Sequence, residues 1–367
     1  MLNFSTKINC FTYFRLVKSK KRILVSPLDW GIGHASRCVP LIKSLLLNKF
    51  EVIIAANGRS ELLLKLEFPE LKYVKIEGYN ISYPKNGNMI WSIFLQIPKI
   101  IKGITQEHKT LKKIVSEYKI DGVISDNRFG LWNKGIPSVF ITHQLNIQSK
   151  YFSNFIRTIN FYFINKYNEC WVPDFEDNRL SGDLSIRKSR KKNIKFIGAL
   201  SRFLEKKLDK KYDLCFIISG PEPQRTILEK IAINELKKKK EKTVIILGKP
   251  EDGEIKTIRN CEVFPHLDSV KLNNILNQSE VIISRSGYST IMDLYKIGKK
   301  AIFIPTPGQT EQEYLAKNLK EKGICYFQSQ SEFNLKQAVT ENTKYTGFNT
   351  IKREEQNWDE LFMIFSE

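Results

Sequence analysis

Metal-binding side chains are scarce in this chain. Its four histidines and six cysteines are scattered, the cysteines at 10, 38, 170, 215, 261 and 325, with no C-x-x-C pair. This excludes the common zinc patterns and a disulfide-dense scaffold. Several cysteines lie in apolar runs, where a free thiol behaves as a small hydrophobe, so a reducing cytoplasm is the expected setting. Long apolar runs are missing too. Met89 to Ile104 is interrupted by Gln96, Pro98, Lys99 and Lys102, and falls short of the ~20 apolar residues a membrane span needs. Residues 1–21 mix Lys and Arg with aromatics but hold no continuous apolar centre, so they read as an N-terminal extension and not as a signal peptide. Also absent are a Walker A loop, the G-x-G-x-x-G dinucleotide fingerprint and an Asp-x-Asp at a suitable loop. No metal and no cofactor are therefore predicted. No RNA-recognition core or zinc knuckle is visible, so nucleic acid is not an expected partner.

What the chain has in excess is positive charge. It carries 59 Lys and Arg against 39 Asp and Glu, a formal net charge of +20. Such an imbalance points to an acidic partner, either a phosphorylated ligand or an anionic membrane surface. The plainer account is a lysine-decorated, solvated surface, as at Lys237 to Lys240 near a helix end. The 367 residues, 42% of them hydrophobic, suit two α/β domains of roughly 100–200 residues each.

Short apolar runs alternate with helical patterns, which predicts parallel sheets with crossover helices. Strands are expected at Arg22–Leu28, Phe50–Ala55, Asp121–Ser125, Ser138–Thr142 and Glu169–Val172, with a helix over Ser36–Leu47. The alternation restarts near residue 213. Strands are expected at Leu214–Ser219, Thr243–Leu247, Val281–Ser284 and Lys300–Ile304. Helices are expected at Glu222–Lys238, 268–278, 288–298 and 310–322. The reading gives a first domain over 22–201, a charged linker over 202–212, a second domain over 213–345 and a C-terminal helix within 346–367. Asn349–Phe365 reads as one amphipathic helix.

Ligands of open α/β sheets bind beyond the carboxyl ends of strands, so the polar loops at those ends carry the functional reading. The first strand runs into Asp29-Trp30-Gly31-Ile32-Gly33-His34, where glycines permit a sharp turn and close approach of a ligand. An imidazole there, His34, is suited to act as a general base near neutral pH. Ser125-Asp126-Asn127 ends another strand, and Asp126 is a candidate to bond the second ring nitrogen of His34. Thr142-His143-Gln144-Leu145-Asn146 lies on the same edge. In the second half, Ser219-Gly220-Pro221-Glu222 opens a helix with small residues, a setting that presents free N–H groups to phosphate. Ser286, Ser289, Thr290 and Asp293 recur at i, i+3, i+4 and i+7 and share one helical face. Hydroxyls and amides at that helix start suit a pyrophosphate, and Asp293 a ribose. Gln309, Gln312 and Glu313 offer donors and acceptors for sugar hydroxyls. Each loop alone is equally compatible with a ligand-free turn or a helix cap.

Taken in order, Gly31-Ile32-Gly33-His34, His143-Gln144-Leu145-Asn146, Ser284-Arg285-Ser286-Gly287 and Gln309-Thr310-Glu311-Gln312-Glu313 resemble the motifs of the B-type glycosyltransferases, which have two Rossmann-like domains. The similarity is greatest to family 28, which includes the enzyme that completes the lipid-linked peptidoglycan precursor. It covers about residues 22–330. The resemblance implies a UDP-sugar donor on the second domain. Ser286 and Gly287 would meet the diphosphate, Asp293 the ribose, Phe264 or its neighbours before His266 the uracil, and Gln312 and Glu313 the sugar, with Gly220 and Thr290 as further donor-binding candidates. It implies an acceptor site on the first domain at Gly31, Gly33, His143, Gln144 and Asn146, and a final helix crossing back to that domain. The peptidoglycan enzyme has Glu after the His of the second motif, where this chain has Gln144, and its glycine loops are richer. The chain therefore reads as a divergent relative with its own acceptor.

The expected reaction is inverting, metal-independent transfer with His34 as base and Asp126 as its orienting carboxylate. A nucleotide-sugar epimerase on the same scaffold stays open, as does a non-catalytic binder of an anionic membrane or polyanion. Met89–Ile104 combines Trp91, Phe94, Leu95, Ile97 and Ile100 with lysines, which fits either a peripheral membrane contact for a lipid-linked acceptor or an ordinary packed helix.

Overall fold

A computed structural model describes residues 20–29, 32–79, 96–146, 153–177, 179–186, 193–237, 241–249, 256–258, 260–351 and 354–366. The apolar run Arg22–Pro27 forms the central strand β1. Helix α1 (Ile32–Leu47) follows it and turns Ala35, Cys38, Val39, Leu41, Ile42 and Leu45 inward. It begins four residues before the expected Ser36, because Gly33 and His34 already lie in its first turn. Next come β2 (Glu51–Ala56), α2 (Gly58–Glu67), β3 (Lys72–Lys75), α3 (Ile97–Tyr118), β4 (Gly122–Asp126), β5 (Ser138–Ile141), α4 (Ser153–Ile164), β6 (Glu169–Val172) and β7 (Ile194–Phe196). The seven strands lie in the order β3-β2-β1-β4-β5-β6-β7, with every pairing parallel.

Residues 197–211 carry no helix or strand. The second domain then repeats the plan: β8 (Tyr212–Ile217), α5 (Gln224–Leu236), β9 (Thr243–Ile246), β10 (Lys256–Ile258), β11 (Cys261–Phe264), α6 (Ser269–Asn277), β12 (Ser279–Ser284), α7 (Tyr288–Ile297), β13 (Lys300–Phe303), α8 (Thr310–Glu321), β14 (Tyr326–Phe327) and α9 (Leu335–Asn342). Its order is β10-β11-β9-β8-β12-β13-β14, parallel except for the antiparallel pair β10–β11. Both halves are thus Rossmann-like. Their strand orders reverse at β1/β4 and at β8/β12, the switch points where such sheets take ligands.

The C-terminal stretch is not the single helix expected over Asn349–Phe365. Within it lie a 3-10 turn at Phe348–Thr350, a short α10 (Trp358–Phe362) and another 3-10 turn at Met363–Phe365. Asn357 caps α10 by accepting from the Glu360 amide at 3.3 Å. Just before it, Gln356 donates to the Ala199 carbonyl at 2.5 Å, so the chain is tied to the interdomain segment where a helix would otherwise run. Leu361, Phe362 and Phe365 then join Ile23, Val39, Ile124 and Trp171 in the core of the first domain. A Cβ on Gly122 would meet the Phe365 ring at 2.5 Å. Gly122→Ala is therefore expected to displace that ring and destabilise the protein by about 1–3 kcal/mol, the usual cost of overpacking, read as a lower urea midpoint. An unchanged midpoint would mean that the C-terminal segment is not seated there.

Of Met89–Ile104, residues 89–95 lie outside the described residues. From Ile97 the segment is the start of α3. Ile104, Leu111 and Ile114 are buried, while Ile101 is exposed. Among the described residues no helix is long and apolar enough to cross a membrane.

Candidate active site

Pairing of β1 with β4 sets Pro27 opposite Asp126, so the carboxylate lies at the end of β1 from which the chain runs on to α1. His34, in the first turn of α1, places Nδ1 2.9 Å from Asp126 Oδ1. The two lie 92 positions apart in sequence. Arg37, one helical turn on from His34, grips the same carboxylate with both prongs. Its Nε donates to Oδ2 at 2.6 Å and its Nη2 to Oδ1. Arg37 and Asp126 are both buried. Burial alone would raise the Asp126 carboxyl, but Arg37 and His34 outweigh it and hold the group well below the usual carboxylate range.

Arg37 also fixes the proton positions around it. A guanidinium only donates. Its Nη1 lies 3.0 Å from His143 Nδ1, so that nitrogen accepts and the ring proton sits on Nε2. From there it is donated to Glu311 Oε1 at 3.1 Å. His34 Nδ1 lies between two partners, 2.9 Å from Asp126 Oδ1 and 3.0 Å from Arg37 Nη2; in the tautomer with its proton on Nδ1 it donates to Asp126 and Nε2 keeps its lone pair. Burial lowers the His34 pKa, Asp126 pulls it back up, and the nearby Arg37 lowers it again, leaving it below its ordinary value. A neutral imidazole with a free Nε2 is a competent proton acceptor.

Glu311 comes from the first turn of α8, in the other domain. It accepts from His143 and from the Gln144 side chain. Burial opposes its charge, yet His143 and the two neighbouring cationic or ring groups Arg37 and His34 depress its pKa. Tyr288, at the start of α7, stacks on His143 with ring centroids 3.8 Å apart and donates its hydroxyl to the Pro173 carbonyl. Ser289 donates to the Gly33 carbonyl at 3.2 Å. Gly33 thus lies where α1 and α7 approach. The two switch points face each other and touch through these groups.

On the second domain, α7 is capped by Gly287 with no side-chain hydrogen bond at the cap, so its first N–H groups face the loop edge without that competitor. Gly220 sits in the turn after β8 at φ +117. The Ser286 hydroxyl is turned away, buried and donating to the Gln312 carbonyl at 2.7 Å. Thr290 is half-buried on the exposed side of the same helix start. Asp293 lies farther along α7, accepting from Ser201 at 2.5 Å. Burial raises its pKa to about 6, against the pull of Arg202 and Ser201. Gln312 accepts from the Thr306 amide at 2.9 Å and Glu313 from the Gly308 amide at 3.0 Å, so both shape the loop after β13. Phe264 is half-buried at the end of β11 and packs on the core. Asn146 donates to the carbonyls of Asp183 at 3.1 Å and Ile186 at 2.9 Å, which makes it a loop brace. Gly31 lies outside the described residues.

The structure therefore brings together Gly33, His34, Asp126, His143 and Gln144, and sets Ser286, Gly287 and Thr290 across from them. The sequence reading missed Arg37 and Glu311. Arg37 had one available signal, its i+3 spacing from His34 on the same helical face. Among the described residues no three His, Cys, Asp or Glu side chains gather as a metal site.

Comparison with known proteins agrees with this architecture. Residues 214–357 match the glycosyltransferase family 28 C-terminal domain, and residues 21–136 match glycosyl transferase family 1. The chain is 26% identical over 330 residues to the UDP-N-acetylglucosamine–N-acetylmuramyl-(pentapeptide) pyrophosphoryl-undecaprenol N-acetylglucosamine transferase of Buchnera aphidicola subsp. Schizaphis graminum, covering 86% of each chain. Among solved structures it superposes on the calicheamicin glycosyltransferase CalG4 with a TM-score of 0.65 at 11% identity, covering 90% of this chain and 92% of that one. It superposes on MurG of Acinetobacter baumannii with a TM-score of 0.58 at 14% identity, covering 95% and 100%.

Proposed function

Since the chain is a family-28-like glycosyltransferase with two Rossmann-like domains, we propose that it moves a sugar from a UDP-sugar to a hydroxyl acceptor with inversion. The observation that carries this reading is His34 on the ionised Asp126 in one domain, set by the Ser289–Gly33 contact close to the open N-terminus of α7 in the other. His34 Nε2 takes the acceptor proton as the acceptor oxygen forms its bond to the anomeric carbon. The bond from that carbon to the diphosphate oxygen breaks, and its electron pair leaves with UDP. Asp126 stabilises the imidazolium so formed. The α7 N-terminus faces the charge growing on the diphosphate, a role that calls on no metal ion.

On this reading Gly220, Gly287 and Thr290 border the diphosphate, with Ser286 contributing its backbone. Asp293 receives the ribose hydroxyls, Phe264 lies by the uracil, and Gln312 and Glu313 approach the sugar. Gly33, His143 and Gln144 border the acceptor, the latter two in a loop that Asn146 braces. The relatives that act on an undecaprenol-linked acceptor support a lipid-linked or cell-envelope glycan here. The basic chain would then work as a peripheral protein on the inner membrane face.

Calorimetric titration with UDP, with ADP as control, tests the donor. Wild-type protein should prefer UDP, and Asp293→Ala should weaken it roughly 10- to 100-fold, the worth of hydrogen bonds to a charged group. Equal binding of ADP would remove the assigned uracil contact, and UDP binding indifferent to the substitution would remove the assigned ribose site.

A further inference from the structure

Arg285 is a buried cation without an anion. It follows β12 directly and is 1% exposed. Its Nη1 donates to the carbonyls of Ile304 at 2.9 Å and Pro305 at 3.1 Å. Its Nη2 donates to the Gln224 carbonyl at 2.9 Å and to Gln330 Oε1 at 2.5 Å. All four acceptors are neutral, and among the described residues no carboxylate pairs with it. Among the described residues the other two arginines buried to this degree are different: Arg37 is paired with Asp126 and Arg128 with Glu107. Burial acts on Arg285 unopposed and lowers its pKa to about 10. A charge kept out of water without a counter-charge is costly, and here it is held at the ligand edge of the sheet.

Two unused donors point the same way. Arg285 Nε and the hydroxyl of Thr306, which is 2% exposed, have no hydrogen-bond partner among the described residues. Both flank Gly220. A Cβ placed on that glycine would come within 3.7 Å of Thr306 Oγ1 and 4.0 Å of Arg285 Nε. The turn after β8 therefore passes over a small donor-lined floor with the guanidinium beneath it. The uncapped start of α7 lies two residues on from Arg285.

We propose that Arg285 is the buried counter-charge of the donor diphosphate, acting from beneath the Gly220 turn as a positioning residue, with Thr306 beside it. This rests on the nucleotide-sugar reading. It adds that the second domain holds a fixed cation whose charge is balanced only when a diphosphate lies on the turn. As the leaving diphosphate gains charge, the cation favours that state further.

The test is titration of the full chain with UDP, UMP and uridine, comparing wild type with Arg285→Gln, Arg285→Lys and Thr306→Val. Wild type should bind UDP far more tightly than uridine. Arg285→Gln should lose roughly 10- to 100-fold in UDP affinity and keep its uridine affinity, and Arg285→Lys should retain part of the preference. Thr306→Val leaves the four grips of Arg285 in place and should lose UDP affinity several-fold with uridine unchanged. An unchanged UDP-to-uridine ratio in both Arg285→Gln and Thr306→Val, in a wild type that binds UDP, overturns this inference alone. So does an equal loss of both ligands in Arg285→Gln with Thr306→Val unaffected, which would make Arg285 only a structural staple. A wild type that binds no nucleoside diphosphate overturns the donor reading, and this inference with it.

Discussion

His34→Ala is expected to lower kcat by roughly 10²–10⁴-fold, the range that general-base catalysis contributes, with UDP affinity unchanged. The side chain belongs to the first domain and bonds Asp126, whereas the assigned donor groups belong to the second. The separation of effects is thus a direct consequence of the two-domain layout. The pH profile adds an independent readout. Burial and Arg37 outweigh Asp126 and lower the His34 pKa. The acid limb of kcat/KM should then fall below the ordinary imidazole value of about 6.5, and it should vanish from the residual activity of the variant. Full activity in His34→Ala, or an acid limb that persists in it, would remove His34 from the role of base.

Arg37→Met is expected to cost about 3–5 kcal/mol of stability at neutral pH, because it leaves one member of a buried ion pair behind. Asp126 would remain buried with only His34 and the weak donor Cys38, whose sulfur lies 3.6 Å away. The sign of the pH effect follows from the direction of the Asp126 shift. Its folded pKa is depressed, so the stability it contributes is present above the unfolded carboxylate value of about 3.9 and fades as pH falls toward the folded value. Urea melts at pH 7 and pH 3 should show a large gap between wild type and variant at the higher pH and a narrower one at the lower. A gap independent of pH would mean that Arg37 acts by packing and not by charge. The variant should also free the His143 tautomer, since the donor that forces its Nδ1 to accept is gone.

The frame of this site was legible in the chain before any coordinates. His34 and Asp126 each follow an apolar run of strand length, and loops after parallel strands converge on one edge, so two residues distant in sequence were expected to meet. The groups that join the domains were not legible in the same way. Arg37 looks like any cation on a helix, and only the buried carboxylate beside it gives it a role. Glu311 stood inside a quoted motif, but its partners belong to the other domain, and no local pattern encodes an encounter between two separately folded sheets. Gln312 and Glu313, read as sugar contacts, also hold the loop that carries them. The edge strand β3 went unread because Lys72 and Lys75 bracket it and it is only half-buried. The C-terminal stretch was overread as one helix because its apolar spacing serves a core in the first domain, which the chain reaches after being held by Gln356.

That return has a consequence for synthesis. Leu361, Phe362 and Phe365 fill the core of the domain that leaves the ribosome first. Domains ordinarily fold as units in the order they are made. Here the core of the first one is incomplete until the second one has been translated. In the interval, Ile23, Val39 and Trp171 lack the aromatic side chains that cover them in the finished protein. The nascent chain therefore carries an open apolar face while the second domain is being translated, and Leu361, Phe362 and Phe365 cover it when they emerge.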